Sequence, residues 1–380
     1  MKEKHRQAKL VLEDGCEYPG WSFGKPLSRV GEVVVNNGMT GYPLMLTDPG
    51  VRGQIVVASF PLQGNGGVPV KKNGEPFFDE QGLPVHFESE RIQAAGFIVS
   101  ELCEKPSHYS SGSTLSAWFE KNGVPGIFGI DTRALTIRLR ERGAMRGKIL
   151  IEGSRDVTFD SGAAENHAAE VSFNKIITYV PENSAGKNSG KPVAKRYKIA
   201  LIDCGVKSSV IRCLLERKAE VIRVPWNHDL KDIKFDGIVI SGGPGDPKDC
   251  GKTIATVRKA FTLNKPVFGI GLGNQIMALA AGADTYKLPM GHRGQNHPCL
   301  EVGTKRCYIT AQNHGHAVRG ETLPKGWEPW FVNANDGTIE GFYSVKKPFS
   351  AVQFNPEGRP GPKDTEFVFD RFITQIKEAK

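Results

Sequence analysis

No stretch of this 380-residue chain stays apolar for long. Runs such as Ile238-Val239-Ile240 fall far short of the ~20 residues that a membrane-spanning helix needs, so no membrane partner is expected. The opening residues, Met1-Lys2-Glu3-Lys4-His5-Arg6, are charged but lack a following apolar core, and Glu13-Asp14 come early for a transit peptide. A cytoplasmic setting is the expectation. Cysteine is sparse and scattered at Cys16, Cys103, Cys204, Cys213, Cys250, Cys299 and Cys307, with no C-x-x-C pair and none of the histidine spacing of a zinc site. That pattern excludes a disulfide framework and gives no metal ligand set, which leaves reduced intracellular thiols. A G-x-x-x-x-G-K-[ST] phosphate loop is missing as well. One-signed charge is also lacking: the net charge of +9 comes from 50 basic residues interspersed with 41 acidic ones, so nucleic acid is not an expected partner. The densest basic cluster, Lys191 with Lys195-Arg196 and Lys198, sits beside Gly and Ser and reads as a solvated linker.

What is present is an ordinary globular composition, 39% hydrophobic and 24% charged, over a length that favours two domains. Up to about residue 151 the segments are short, β-branched and turn-punctuated: Leu10-Val11-Leu12, Gly31 to Asn36 and Gln54 to Ala58. One helix is expected from Asp131 to Arg140, capped by Asp131 or Thr132. Residues 152–196 change character and end in the Gly-, Ser-, Asn- and Lys-rich stretch from Pro181 to Lys191, where an interdomain linker is expected. From residue 197 to 380 strands and helices alternate. Strands are expected at 199–203, 221–224, 237–241 and 267–270, with helices over 208–217 and 252–262. That order predicts an α/β domain with a mostly parallel sheet covered on both faces, whose ligand crevice lies beyond the carboxyl ends of the strands.

Two glycine-rich turns fall at such ends. Gly242-Gly243-Pro244-Gly245 closes one strand, and Pro266 to Gln275 runs from an apolar strand through Gly269-Ile270-Gly271-Leu272-Gly273 into a helix. A dinucleotide fingerprint needs a different third-glycine position and a later acid, so the spacing argues against it. A tight turn without function is one reading. The other is a strand–turn–helix elbow, which in α/β enzymes holds a nucleophile above the sheet beside oxyanion-binding N–H groups. Its apex here is Gly271, which offers no reactive group. Further on, Ala351 to Glu357 is an apolar strand ending in polar residues, the kind of end that could supply a base and its orienting carboxylate. Residue 355 is Asn, which cannot serve as a general base near neutral pH.

With those residues in view, the second half resembles a class I glutamine amidotransferase domain of flavodoxin-like fold. The whole chain, from Leu10 to Pro362, is similar to the small, glutaminase subunit of carbamoyl phosphate synthetase. The stretches that carry the likeness are Gly31-Glu32-Val33-Val34, Met39-Thr40-Gly41-Tyr42, Leu46-Thr47-Asp48-Pro49, Gly129-Ile130-Asp131-Thr132-Arg133, Gly243-Pro244-Gly245-Asp246-Pro247 and Thr310-Ala311-Gln312-Asn313-His314-Gly315. The resemblance implies a β-rich small-subunit domain over 1–151, a linker over 152–196 and the amidotransferase domain over 197–380. It also implies that the catalytic Cys falls on Gly271, the His on Asn355 and the Glu on Glu357. Gly243 and Leu272 would form the oxyanion hole. Glutamine contacts would be Gln275, Gly245, Asn313, Gly315 and His316, the last at a position usually aromatic, and a further Ser falls on Gly50.

Nucleophile and base are both altered, and they act as a unit. Val224 to Asp229, Gly273-Asn274 and Arg293 to Asn296 resemble the ammonia-dependent branch of the family. The expectation is therefore a glutaminase-silent subunit that docks on a large synthetase chain. That partner, by the same resemblance, makes carbamoyl phosphate from bicarbonate, ammonia and ATP and carries the ATP and divalent metal, while this chain holds no cofactor. Two readings compete: an active glutaminase that uses Cys204 or Cys299 instead, and a free-standing protein that binds L-glutamine in the vestigial pocket without turnover.

Overall fold

The computed structural model describes residues 5–160, 166–181 and 196–379. The chain divides into two compact units, Met1–Glu165 with Leu288–Gln295, and Asn166–Lys287 with Asn296–Lys380.

The first unit contains β1 (Gln7–Leu12), β2 (Glu17–Gly24), β3 (Arg29–Asn36), α1 (Tyr42–Thr47), β4 (Gln54–Ala58), β5 (Leu62–Gln63), β6 (Gly96–Ile98), β7 (Glu101–Leu102), α2 (Leu115–Lys121), β8 (Pro125–Phe128), α3 (Thr132–Arg142) and β9 (Met145–Ile151). Seven of these strands close a barrel in the order β1-β2-β8-β6-β4-β3-β9, with β9 returning to pair with β1; β5 and β7 form a separate two-stranded sheet. Alternation along the strands sorts the side chains. Leu10, Leu12, Val33, Val35, Ile55, Val57 and Ile149 share one core with Leu135 and Leu139 of α3. The intervening Val34, Val56 and Phe97 pack with Trp118 and Phe119 of α2 in another. Asp131 caps α3, its Oδ1 accepting from Ala134 N at 2.9 Å, as the sequence led one to expect.

The second unit adds α4 (His167–Val171), β10 (Ile177–Tyr179), β11 (Lys198–Asp203), α5 (Ser208–Glu216), β12 (Glu220–Pro225), β13 (Gly237–Ile240), α6 (Gly251–Ala260), β14 (Val267–Ile270), α7 (Leu272–Ala281), β15 (Thr285–Glu301, whose residues Leu288–Gln295 belong to the first unit), β16 (Cys307–Val318), β17 (Trp327–Asn333), β18 (Ile339–Ser344), β19 (Phe349–Val352) and α8 (Phe367–Glu378). A ten-stranded sheet runs β10-β12-β11-β13-β14-β19-β18-β16-β15-β17. Its centre, β12, β11, β13, β14 and β19, is parallel and buried, in keeping with the apolar runs. Beyond β19 the strands are antiparallel, because β15 to β19 follow one another without a crossover helix. The sheet is thus mixed, and the parallel expectation describes its core.

Two further differences bear on the site. The apolar run 351–357 is a strand only to Val352, after which Asn355 makes a single bridge to Ala311. Residues 166–181, expected as linker, form α4 and β10 and belong to the second unit; most of the Gly/Ser/Asn/Lys stretch, 182–191, lies outside the described residues. Among the described residues no helix is long and apolar enough to cross a membrane.

Segment 166–181 is tied down by a buried ion pair. Asp203, at the end of β11, accepts from Arg223 Nε at 2.9 Å and lies 2.7 Å from its Nη2. The same carboxylate takes the N–H groups of Phe173, Gly205 and Val206, and the Arg223 guanidinium lies over the Phe173 ring at 3.9 Å. Removing one member leaves the other charge buried and uncompensated. Arg223→Met is therefore expected to lower the unfolding free energy by about 3–5 kcal/mol in urea titration; a loss below about 1 kcal/mol would contradict this account.

Candidate functional site

Strand β14 is apolar and fully buried between β13 and β19, and Gly271 follows it as the N-cap of α7. Its backbone sits at φ 56°, ψ −112°, a conformation that costs a residue with a side chain ~1–3 kcal/mol and that clusters at active sites. The three glycines of the elbow have different reasons. A Cβ on Gly269 would meet Gly273 O at 2.6 Å, and one on Gly273 would meet Ile240 O at 2.2 Å. Both are required for the start of α7 to lie directly on the sheet. At Gly271 a Cβ would find nothing closer than Gly242 Cα at 3.5 Å and Gln353 O at 3.8 Å. The apex thus has room for a side chain that the sequence does not supply.

The other glycine turn abuts this elbow. A Cβ on Gly243 would overlap Cys204 O at 2.0 Å and approach Leu272 Cδ2 at 3.0 Å, so the two positions carried over as oxyanion donors are neighbours. Leu272 opens α7, and the first amides of a helix have no intrahelical acceptor. With the helix dipole they suit developing negative charge.

On the other side of the apex, Gly271 N donates to Val352 O at 2.9 Å. Asn355, three residues on, is half-buried with its N–H on Ala311 O at 2.8 Å. Glu357 is buried, and its Oε1 accepts from Lys207 Nζ at 2.6 Å; the same ammonium donates to Arg359 O. The retained carboxylate is therefore held by a lysine. Lys207 was not singled out in the sequence, although a lone cation between the buried strand β11 and the apolar helix α5 was the available signal.

The wall opposite the glycine turn comes from β16, which carries Asn313, Gly315 and His316. Gln275, in the first turns of α7, spends both hydrogens of its Nε2 within the protein, on His316 O at 2.8 Å and on Gln353 Oε1 at 3.0 Å. Asn274 Nδ2 joins it on Gln353 Oε1 at 3.0 Å. His316 Nε2 lies 3.5 Å from Asp246 Oδ2, beside Gly245. Gly271, Leu272, Gly243, Gly245, Gln275, Asn313, Gly315, His316, Asn355 and Glu357 all belong to the second unit, whereas Gly50 belongs to the first, in a short turn where its N–H reaches Asp48 Oδ1. Neither cysteine considered as a substitute is suited to the task. Cys204 and Cys299 are fully buried, and burial pushes both thiols well above their ordinary range, the opposite of an activated nucleophile.

Residues 200–375 match the family Glutamine amidotransferase class-I, which defines the class of the second unit. Residues 10–149 match Carbamoyl-phosphate synthase small chain, CPSase domain. The chain therefore carries a carbamoyl phosphate synthase small-chain domain followed by a class I glutamine amidotransferase domain. Among curated relatives it is 46% identical over 379 residues to human "Carbamoyl-phosphate synthase [ammonia], mitochondrial", covering 99% of this chain and 24% of that protein. It is 44% identical to the "Multifunctional protein pyr1-3" of Dictyostelium discoideum, covering 97% and 17%, and 43% identical to "Multifunctional protein URA2" of Saccharomyces cerevisiae, covering 99% and 18%. The chain thus spans between a sixth and a quarter of the length of these relatives.

The glycine geometry makes a stability prediction. Gly271→Ala should cost only the ~1–3 kcal/mol of its backbone conformation, while Gly273→Ala, which drives a Cβ into a backbone carbonyl, should cost more. Chemical denaturation of both variants checks the order; equal losses would contradict it.

Proposed function

We propose that this chain is the glutaminase-silent, small-subunit-like part of a carbamoyl phosphate synthetase that takes ammonia directly. The observation that carries the reading is the apex at Gly271: the positive-φ elbow, the neighbouring oxyanion turn and space for a Cβ are all kept, and the thiol is not. Asn355 stands where the base would stand, and an amide cannot take the thiol proton near neutral pH. Glu357, whose partner in such a triad would be an imidazole, is bound to Lys207. Without nucleophile and base together, little acceleration of amide hydrolysis remains, because the two depend on one another.

On this reading the chain acts through its surfaces. It docks on a large synthetase chain that joins bicarbonate, ammonia and ATP, where ATP and its divalent metal bind, and it stabilises that partner and shapes ammonia entry. The name of the human relative, which specifies ammonia, supports the assignment. The multifunctional relatives, of which this chain matches less than a fifth, support a large partner or further domains.

The purified chain is expected to release no ammonia from glutamine above the buffer blank and to form no thioester that hydroxylamine can trap. Its complex with a large synthetase chain should make carbamoyl phosphate from ammonia and gain nothing from added glutamine. Ammonia release from glutamine by the chain alone would overturn the reading.

A further inference from the structure

The crevice is flanked by two histidines that no catalytic role requires. His316, on β16, reaches across to Asp246 in the glycine turn at 3.5 Å. Its main chain is fixed from behind, since its carbonyl accepts from Gln275 Nε2 at 2.8 Å and lies 2.9 Å from His314 Nδ1. His167, at the start of α4, packs on the other side of the same turn: a Cβ added to Gly245 would lie 3.4 Å from His167 Cβ. The strap that carries His167 is anchored at both ends. Asn166 Nδ2 donates to Asp249 O at 2.8 Å, and Phe173 N donates to Asp203 Oδ2 at 2.9 Å. Val171 Cγ2 would be 3.1 Å from a Cβ on Gly205, and Ala168 is buried in the core. Burial raises the Asp249 carboxyl and so does Asp246, while His167 and His316 lower it, which places all four groups around one turn.

We propose that His316, Asp246 and His167 form a clasp that closes the vestigial crevice to α-amino acid amides such as glutamine. The 3.5 Å contact joins the two walls, Gly245-Asp246 and Gly315-His316, between which the substrate of an active relative would lie. Gln275, beside His316, has no N–H left on its side-chain nitrogen to offer a ligand. The inference rests on the silent-glutaminase reading and adds that exclusion is steric as well as chemical: the chain refuses the ligand before chemistry could begin.

Calorimetric titration with L-glutamine tests this on the full chain. The natural protein should give no saturable heat at millimolar ligand. His316→Phe combined with His167→Ala should bind measurably, with a gain on the order of tenfold or more, equivalent to at least one recovered contact, and still release no ammonia. Asp246→Ser provides an independent arm, because its hydroxyl can still accept the Lys248 N–H that Asp246 Oδ1 now accepts while the carboxylate facing His316 is gone. It should also gain binding. The clasp is overturned if the natural chain binds glutamine as tightly as the variants, which would favour a free-standing glutamine-binding protein. It is equally overturned if Asp246→Ser, with an unchanged melting temperature, binds no better than the natural chain. Ammonia release by the natural chain would instead overturn the functional reading itself, so the two failures are distinct.

Discussion

The second unit depends on one close approach: backbone against backbone, where the start of α7 and the glycine turn meet the carboxyl ends of β13 and β11. Gly273 lies where a Cβ would be 2.2 Å from Ile240 O, and Gly243 where it would be 2.0 Å from Cys204 O. Only glycine permits either contact. Because the helix sits that low, the chain must turn sharply at Gly271, and the apex takes a positive-φ geometry that glycine adopts without strain and a residue with a side chain would not. Because the glycine turn sits that low, Gly243 comes up against Leu272. The geometry of the elbow and of the glycine turn therefore follows from packing and does not depend on a reactive side chain at residue 271.

That distinction accounts for what is retained and what is lost. On the proposed reading, groups that would do only chemistry, a thiol at 271 and an imidazole at 355, are replaced by Gly271 and Asn355. Groups with a structural task remain. Glu357 is one of these: with Lys207 buried at 2.6 Å from it, loss of the carboxylate would strand an ammonium in the interior. On the proposed reading, a triad carboxylate outlives its triad as the counter-ion of a buried lysine. The same logic covers Asp203, whose pairing with Arg223 and capping of Gly205, Val206 and Phe173 hold the rim of the crevice.

Much of this was legible in the sequence, for definable reasons. Continuous apolar runs located β11, β13 and β14, since a strand buried on both faces needs no alternation. The elbow and the second glycine turn were visible because close backbone contacts demand glycine. The closure of the barrel was not, because β1 and β9 pair across more than a hundred residues and short strands carry no label for a distant partner. The strand after residue 348 was read too long: Gln353, whose N–H reaches Glu340 O of β18, and Phe354, packed on the Phe331 ring of β17, stay buried past the strand's end at Val352 and so imitate its continuation. Residues 166–181 looked like linker because their anchors, Asn166 to Asp249 and Phe173 to Asp203, are polar and remote in sequence. The approach of His316 to Asp246, and of His167 to the Gly245 turn, was hidden, since these residues meet only through the fold.

The central claim of the proposed reading is that the backbone of the elbow is kept at Gly271 while the groups that would act there as nucleophile and base are not. Reintroducing them as Gly271→Cys with Asn355→His, and following alkylation of the new thiol against pH, measures this without requiring glutamine to bind. The helix N-terminus and a neighbouring imidazole should hold the thiolate well below the ~8.5 of a free cysteine, so alkylation by iodoacetamide should reach its plateau near neutral pH, and at lower pH than in Gly271→Cys alone. Indistinguishable profiles for the single and double variants, both inflecting like a free thiol, would contradict the account.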